Sequence, residues 1–154
     1  LYIVDPQAIA VCQKAGVGNT ITLDIGAKSS PLQGEPVSMT VEIMALSDGH
    51  FKYDGPMFAG LSGYMGASAY IRQGGIHVIL VSVGEQPFDT AFARTLGLDP
   101  QQMRYIAVKS TAHFRAGFES WAGVIYVVSE PSVHNLGSLP FKRLGRKVYP
   151  FDDI

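Results

Sequence analysis

Residues 67–83 read Ala-Ser-Ala-Tyr-Ile-Arg-Gln-Gly-Gly-Ile-His-Val-Ile-Leu-Val-Ser-Val. Two runs of strand-like composition, Ala67 to Arg72 and Ile76 to Val83, flank the pair Gly74-Gly75. Paired glycines between two such runs are typical of a tight β-hairpin turn. The outgoing run is apolar enough to form a central strand, and His77 within it is predicted to be a strand-face residue. The predicted fold is built around this hairpin.

The sequence before the hairpin predicts one helix. Asp5 can serve as its N-cap, and Pro6 would occupy the first helical position, where the N–H that proline lacks is not needed. Apolar residues continue at helical spacing as far as Cys12, and Gly16 ends the pattern. Cys12 is therefore predicted to lie in the core.

Two alternating runs follow the helix. Thr20 to Ile25 places apolar side chains on one face and polar side chains on the other, which predicts a half-buried strand. Val37 to Ile43 alternates in the same way. Asp48-Gly49 then predicts a hairpin turn, with Phe51 and Tyr53 on the returning strand. The front half of the chain is thus predicted to be antiparallel β structure.

The segment from Gly55 to Gly66 is rich in glycine. It does not match a phosphate-binding loop, because it lacks the Gly-Lys-Ser/Thr ending and the preceding buried strand. We interpret it as a close-packed connector whose glycines let backbones approach each other, and a ligand-lining loop is the alternative.

The second half alternates between apolar runs and short helical patterns. Thr90 to Leu96 predicts a short helix, and Asp99-Pro100 begins a further turn. Tyr105 to Val108 and Gly123 to Val128 are predicted to be buried strands. A strand, helix, strand order favours adjacent pairing with a right-handed crossover. We therefore predict a βαβ-like portion from about Ile76 to Val128.

The fold class that follows is α+β. At 154 residues, 47% of them hydrophobic, the chain can bury one sizeable core, and a single domain over residues 1–154 is expected. Its sheet is predicted to be mixed and largely antiparallel, with the βαβ-like portion in the carboxyl-terminal half. The tail, which ends in Val148 to Phe151, is predicted to wrap in an extended form.

Charge and cysteine content exclude several classes of partner. The net charge of -1 and the pI near 6.5 give no basic excess, so neither nucleic acid nor a membrane surface is expected as a partner. The basic run Lys142 to Lys147 is interpreted as solvated surface. Cys12 is the single cysteine, which excludes an intrachain disulfide and favours a reducing, cytoplasmic setting. Because Leu1 opens directly into structured-looking sequence, we expect the chain to be a fragment of a longer one.

The residues best suited to function lie between Tyr105 and Phe118, at the predicted strand-to-helix junction. Ser110 or Thr111 could cap the following helix, whose first turn would present unpaired N–H groups. Three further candidates, Lys109, His113 and Arg115, stand within a few residues of that cap. Together they predict a pocket for a carboxylate, a phosphate or an oxyanion. The alternative is structural, with a lysine reaching solvent, an ordinary cap and a hydrogen-bonded histidine.

Self-sufficient catalytic motifs are missing from the sequence. No His-Glu-x-x-His occurs, and His50, His77, His113 and His134 are far apart, so no metal site is predicted in this chain. No Gly-x-Ser-x-Gly elbow occurs either. Ser110 and His113 could be called a nucleophile and a base, but no acid is placed to orient the imidazole.

Several short motifs recur in an order that resembles a known family. They are Asp5-Pro6, Ala15-Gly16-Val17-Gly18, Leu46-Ser47-Asp48-Gly49, Gly55-Pro56-Met57 with Gly60, Gly97-Leu98-Asp99-Pro100, Lys109-Ser110 with His113-Phe114-Arg115-Ala116, and Tyr149-Pro150. In this series the chain resembles, over nearly its whole length, the carboxyl-terminal domain of the MlrC-type family. That family is named for microcystinase C and comprises candidate zinc metallopeptidases.

The resemblance implies that the zinc ligands, of Asp and His type, belong to an amino-terminal domain that this sequence does not contain. It also implies that Lys109, Ser110, His113 and Arg115 are substrate-facing or interdomain residues. The expected function is that of an accessory domain of a zinc-dependent peptidase or amidohydrolase, inactive alone. Its expected partners are its own amino-terminal domain and a peptide or amide substrate held at the domain interface.

Two other functions are kept as alternatives. One is a non-catalytic binding or oligomerisation module with a structural anion site at the Lys109-Ser110 junction, which would form homo-oligomers. The other, less favoured, is a hydrolase that uses Ser110 and His113 within this fragment.

Overall fold

The computed structural model describes residues 1–29 and 33–128. The strands, in chain order, are β1 (Tyr2–Val4), β2 (Thr20–Ile25), β3 (Val37–Ser47), β4 (His50–Lys52), β5 (Ser62–Tyr64), β6 (Ser68–Gln73) and β7 (Ile76–Val81). The helices are α1 (Pro6–Ala15), α2 (Ala91–Thr95) and α3 (Arg115–Phe118), and a turn of 3-10 helix covers Pro100–Gln102.

Within the described residues, five strands form a mixed sheet in the order β1-β7-β6-β3-β2. The strands β6 and β7 pair antiparallel around Gly74-Gly75, and β7 lies between β6 and β1, so the predicted hairpin with a central outgoing strand is confirmed. The remaining pairs are antiparallel except for β1 with β7, where Tyr2 lies opposite Ile79 in parallel register. The α+β class and the mixed, largely antiparallel sheet are confirmed. The three-residue strand β1 was not predicted.

The two faces of this sheet bury different side chains. One face packs against α1 through aliphatic residues, here called the aliphatic layer: Ala8, Ile9, Cys12, Leu23, Ile25, Val41, Ile43, Ala69, Ile71, Val78 and Leu80. The other face is covered by loops and α2 through residues here called the aromatic cluster: Tyr2, Phe51, Tyr53, Met65, Tyr70, Ile79, Val81, Phe88, Ala91, Phe92, Ala93, Leu96 and Leu98. Neighbouring residues of β7 alternate between the two, as the period of a strand requires.

The first helix begins as predicted. Asp5 is buried, and its Oδ1 accepts the amide of Ala8 at 3.0 Å as an N-cap. Its Oδ2 accepts the amide of Gly26 at 2.9 Å and the ammonium of Lys28 at 2.7 Å. One carboxylate therefore holds the start of α1 against the end of β2. Cys12 is fully buried, as predicted.

The predicted hairpin at Asp48-Gly49 is wrong. This turn joins β3 to β4, but β4 pairs with β5 in a separate two-stranded sheet, and β3 pairs instead with β6. Gly49 has a φ of +88°, and a Cβ there would lie 1.9 Å from the carbonyl oxygen of Gly66. Because the chain must pass this close to Gly66, it leaves the plane of the first sheet rather than folding back along β3.

The segment from Gly55 to Gly66 is close-packed at three of its glycines, as interpreted, but their nearest neighbours are side chains rather than backbone. A Cβ on Gly55, Gly63 or Gly66 would lie within 3.0 Å of a neighbouring atom, whereas Gly60 has no such neighbour within 4 Å. The segment also contains β5, which was not predicted.

The strands predicted at Tyr105 to Val108 and Gly123 to Val128 are wrong for the described residues. Neither segment belongs to a sheet, so the βαβ-like portion does not form within residues 1–29 and 33–128. Tyr105 is 80% exposed and Val127 is also 80% exposed, so neither segment is buried. The apolar pattern was read as burial inside this chain, but no strand of the described part lies beside it. The predicted extended tail, the basic run and His134 lie outside the described residues.

The shorter predicted elements are confirmed. The helix α2 falls inside the predicted Thr90 to Leu96, and Asp99 caps the 3-10 turn by accepting the amide of Gln101 at 3.0 Å. None of the helices in the described residues has the length and apolar character needed to cross a membrane.

Candidate functional site

The junction from Lys109 to Arg115 is a turn that leads into α3. The hydroxyl oxygen of Ser110 accepts the amide of Phe114, at 3.3 Å. Phe114 directly precedes the helix, and α3 itself has no side-chain cap. Ser110 therefore caps the turn before the helix rather than the helix itself.

Four backbone amides at the end of this junction are hydrogen-bonded, the first being that of Phe114, which donates to Ser110. Arg115, Ala116 and Gly117 donate to the carbonyls of Ala112, His113 and Phe114, at 3.1–3.2 Å. A helix of four residues also has little macrodipole, because few peptide units add to it. The amides of Thr111, Ala112 and His113 have no hydrogen-bond acceptor among the described residues, so the predicted cradle of unpaired N–H groups stays a prediction, to which the helix dipole would add little.

Lys109 is exposed at the start of the junction. Among residues 1–29 and 33–128 it has no ion-pair partner, unlike Lys28, which pairs with Asp5. Its ammonium therefore has all three donors to offer to a ligand or another protein surface.

His113 is exposed and held by one contact to a different loop. Its Nδ1 lies 2.9 Å from Oε1 of Gln86, and because an amide oxygen only accepts, Nδ1 carries the proton in this contact. The other ring nitrogen, Nε2, is then the acceptor in the neutral imidazole. The ring also meets Phe88 edge-on, with centroids 6.3 Å apart. His113 is not hydrogen-bonded to Ser110 in the described structure, which weighs against a nucleophile and base pair.

Arg115 is already engaged. Its Nη1 donates to Oε1 of Glu119 at 2.8 Å, and its guanidinium carbon lies 5.4 Å from the centre of the Phe114 ring. Both partners of the ion pair are about half exposed, and such pairs contribute only about 0.2–1 kcal/mol. Arg115 is therefore less available to a further anion than Lys109.

Close backbone contact positions α3. A Cβ on Gly117 would lie 2.3 Å from the carbonyl oxygen of Phe88, so only glycine allows the helix to sit this close. Phe114 and Phe118 are buried beneath it, and the indole of Trp121 donates to the carbonyl of Gly117 at 2.8 Å. The position of α3, and of His113 just before it, is therefore set by the loop that carries Gln86 and Phe88.

That loop is anchored by a buried carboxylate. Asp89 accepts the amide of Gly55 on Oδ2 at 2.8 Å and the amide of Ala91 on Oδ1 at 2.7 Å. The Phe88 ring stacks on Tyr53, with centroids 5.4 Å apart and planes 7° from parallel. Burial raises the pKa of Tyr53, and the nearby carboxylates of Glu85 and Asp89 raise that pKa further. The loop with Tyr53 and Gly55, the loop with Phe88 and Asp89, and the turn that carries His113 thus meet at one place.

The sequence did not reveal most of these supporting residues. The Pro87-Phe88-Asp89 run was visible as a helix start, but not as the loop that holds His113. Gln86 and His113 lie 27 positions apart, and no local pattern connects them. Gly117 offered only the weak signal of a glycine within an apolar helical segment.

A groove of about 330 Å³ lies elsewhere on the protein. It runs between the β1–β7 edge of the sheet and the segment after α2, and its lining includes Tyr2, His77, Arg104 and Phe118. Lys109, Ser110, His113 and Arg115 do not line it. His77 is bonded to the Tyr70 hydroxyl, with 2.6 Å between Nδ1 and oxygen, which confirms it as a strand-face residue.

A metal ion has no evident site in this part of the chain. Within residues 1–29 and 33–128, no group of three or more His, Cys, Asp or Glu side chains could hold one. The two buried carboxylates of the described residues, Asp5 and Asp89, lie in separate places and each accepts hydrogen bonds from backbone amides.

The fold and the junction define an α+β domain with an exposed lysine and histidine beside a tightly packed loop cluster. The chain belongs to the family described as MlrC C-terminus, which matches residues 1–143, so the resemblance noted from the sequence is confirmed.

Two relatives place the domain within longer proteins. Microcystinase C of Sphingomonas sp. is 27% identical over 155 residues, covering 99% of this chain and 29% of that protein. A crystal structure from Mesorhizobium sp. BNC1, described as that of a candidate metallopeptidase, matches with a TM-score of 0.81 and 22% identity. The match covers 100% of this chain and 31% of that one, and at this identity it shows the fold alone. The chain thus spans less than a third of the length of either relative.

Proposed function

We propose that this chain is the accessory carboxyl-terminal domain of a zinc-dependent peptidase or amidohydrolase, and that it contributes substrate-facing or interdomain contacts. The observation that carries the proposal is the exposed pair Lys109 and His113, fixed beside a buried loop cluster in a domain of the MlrC family. The described part of the chain has no metal-binding group and no hydrogen-bonded nucleophile and base. Both facts fit a domain that completes a site rather than one that holds it.

Each side chain has a role in this proposal that its chemistry permits. The ammonium of Lys109 binds a carboxylate of the substrate by a charge-assisted hydrogen bond. The Nε2 of His113, with Nδ1 engaged by Gln86, accepts a hydrogen bond from the substrate or from the neighbouring domain. Ser110 accepts the Phe114 amide and still has its own O–H to donate. Arg115 takes part only by releasing Glu119.

Zinc is proposed to lie in the amino-terminal domain, since the described residues of this chain do not fit a zinc site. We also propose that the protein works in the cytoplasm, because its one thiol is a buried, unpaired cysteine. Burial raises the pKa of this Cys12 thiol, and the charge of Asp5 raises it further, so it is poorly suited to be a nucleophile or a metal ligand.

The alternative module with a structural anion site is less well supported. Its main element was the helix N-terminus, but α3 has only four residues, and the amides of Phe114 to Gly117 are bonded within the turn. An anion at Lys109-Ser110 would have only those two side chains and the amides of Thr111 to His113 to bind it.

The test is steady-state kinetics of the full-length protein on short peptides. Each peptide is used in two forms, one with a free carboxyl group at its end and one in which that group is amidated. Lys109→Ala should lower kcat/KM about 10- to 100-fold for the free-carboxyl peptides, because a hydrogen bond to a charged group is lost. The same variant should lower kcat/KM for the amidated peptides much less. His113→Ala should lower activity on both. Zinc content and thermal unfolding should match the wild type, while the 154-residue chain alone should neither bind zinc stoichiometrically nor hydrolyse peptides.

Matched controls are available on the same domain. Lys14 is an exposed lysine in the last turn of α1, and His50 is an exposed histidine on β4. Their alanine variants should keep wild-type kinetics. Full activity in both Lys109→Ala and His113→Ala would contradict the site assignment.

A further inference from the structure

Two apolar segments of the chain lie outside both sheets and are partly or largely exposed. Residues 105–108 and 124–128, here called the two exposed segments, belong to neither sheet among the described residues. In 124–128 most side chains are open, with Val124 68%, Tyr126 81%, Val127 80% and Val128 72% exposed, and Ile125 is half-buried. In 105–108 the Tyr105 side chain is 80% exposed, whereas Ile106 and Val108 are half-buried, and Tyr105 and Ile106 line the groove described above. Exposure of this extent over consecutive apolar residues marks a surface that another structure covers.

The pattern of these segments indicates what covers them. Successive residues of a strand face opposite sides, and all five residues of 124–128 are apolar, so both faces of that segment are apolar. Strands of this kind occur in sheets whose two faces are both buried, chiefly parallel sheets covered by helices. A surface strand instead alternates, as β2 does with Thr20, Thr22 and Asp24 on its exposed side.

The connection between the segments fits the same kind of sheet. They are joined by residues 109–123, which contain α3. Parallel strands need a crossover of a dozen or more residues, usually with a helix, and such a crossover is right-handed. The two exposed segments are therefore spaced as neighbouring parallel strands, although nothing in the described residues pairs with them.

The edges of the chain's own sheet are poor partners, whether in the same molecule or in a second copy. At one edge β2 has a polar outer face, so it would cover only one side of an added strand. At the other edge β1 has three residues and ends at Asp5-Pro6, where proline has no N–H to donate.

We propose that the two exposed segments are two strands of a sheet whose other strands belong to the amino-terminal part of the same polypeptide. This inference rests on the proposed function, in which this chain is one domain of a longer protein. The two relatives support the availability of such a sheet, since about 70% of each lies outside the region matched by this chain. A covalently connected domain also binds at a high effective concentration.

The proposal explains the position of the candidate site. Lys109 and Ser110 directly follow the carboxyl end of the first exposed segment. In open sheets of parallel strands, ligands bind outside the carboxyl ends of the strands. Pairing of these segments with the amino-terminal domain would thus bring Lys109 and His113 to the edge where that domain binds its substrate.

Hydrogen exchange of the full-length protein tests whether the segments are paired. The amides of residues 106–108 and 125–128 should exchange at least about 100-fold more slowly than those of Val17 and Asn19 in the exposed turn after α1. The strand β7 serves as the protected reference. Exchange as fast as in the turn would overturn the proposal.

Photo-cross-linking then identifies the occupant. Tyr126→p-benzoylphenylalanine in the full-length protein should cross-link within one polypeptide to residues that precede this chain, as mapped by mass spectrometry. Tyr64→p-benzoylphenylalanine, at a 49% exposed tyrosine of β5, is the control. A cross-link to residues 129–154, or to a second copy, would overturn the proposal.

The two failures are distinguishable. Full activity of Lys109→Ala and His113→Ala with protected segments would reject the site assignment and keep the domain pairing. Rapid exchange of the two exposed segments, together with reduced activity of Lys109→Ala and His113→Ala, would reject the domain pairing and keep the site assignment.

Discussion

The aliphatic layer and the aromatic cluster lie on opposite faces of one sheet and are assembled differently. The aliphatic layer consists of side chains from α1 and from strands that are regular in sequence. Much of the aromatic cluster comes from the short strand β4, the loops around Tyr53 and Phe88, and the five-residue helix α2. One face is thus held by periodic elements and the other by contacts between loops.

The difference explains where a site can form. The periodic face needs its residues for packing and is covered along α1. On the other face, loops meet through Asp89, Phe88 and Gly117, and they leave Lys109 and His113 at the surface. Functional residues lie preferentially on loops that a rigid scaffold positions. The candidate site therefore depends on the integrity of the aromatic cluster more than on the aliphatic layer.

The largest expected effect tests whether the aromatic cluster is a packed core. Phe92 is fully buried, and its ring centroid lies 5.2 Å from that of Phe51. Phe92→Ala should lower the free energy of unfolding by about 3–5 kcal/mol, through lost burial and the cavity that remains. Urea unfolding measures the change. Phe58→Ala, at a ring that is 42% exposed, should cost clearly less, and equal losses would mean that the loop-built face is not a core.

The second prediction concerns the carboxylate that fixes α1 to the aliphatic layer. Asp5→Asn should cost about 1.5–3 kcal/mol near pH 7, because hydrogen bonds to a charged group are weakened. Asp24→Asn, at an exposed position of β2, is the matched control and should change little. Denaturant unfolding at neutral pH measures both variants.

The same carboxylate predicts a pH dependence. Burial by itself would raise the pKa of Asp5, but the Lys28 ammonium and the amides of Ala8 and Gly26 outweigh it and hold that pKa below its ordinary value of 3.8. The contribution to stability is therefore full above the ordinary pKa and is lost as the pH falls through the lowered one. The free energy of unfolding of the wild type should fall over this acid range more than that of Asp5→Asn. Parallel curves for the two proteins would contradict the assignment.

The smallest expected effect tests the close approach between α3 and the Phe88 loop. Gly→Ala within a helix normally stabilises by about 0.5–1 kcal/mol, but a Cβ on Gly117 would meet the Phe88 carbonyl at 2.3 Å. Gly117→Ala should therefore destabilise by about 1–3 kcal/mol and also lower the activity that depends on His113. Gly123→Ala, with no atom within 4 Å of the new Cβ, should do neither. A gain in stability for Gly117→Ala would show that the Phe88 loop moves away to accommodate the new Cβ.

The fold could be predicted where a local pattern and its surroundings agree. The period of β2, the cap at Asp5 and the paired glycines of the β6–β7 hairpin each predicted the element that forms. The predictions that were wrong concern which strands pair with each other. Asp48-Gly49 has hairpin chemistry, yet the close contact of Gly49 with Gly66 sends the next strand into a second sheet. The apolar run at 124–128 has the composition of a buried strand but no partner in the described residues.

The candidate site could be predicted only as a set of residue types. Lys109, Ser110, His113 and Arg115 are close in sequence, so their proximity needed no tertiary information. The contact of His113 with Gln86 and the engagement of Arg115 with Glu119 were not predicted. Nor was the bonding of the amides of Phe114 to Gly117 within the turn. The roles of these residues in substrate binding stay a prediction until the variants are measured.

The sequence by itself determined the family, the α+β class and the elements whose signals are local, because caps, turns and strand periods act over a few residues. Only the tertiary structure decided which strands pair, which loops meet beside His113 and which apolar residues stay in solvent. Those outcomes depend on contacts such as Gly49 with Gly66 and Phe88 with Gly117, between residues far apart in the chain. A local pattern specifies that a side chain needs a neighbour, and only the folded chain specifies which one it has.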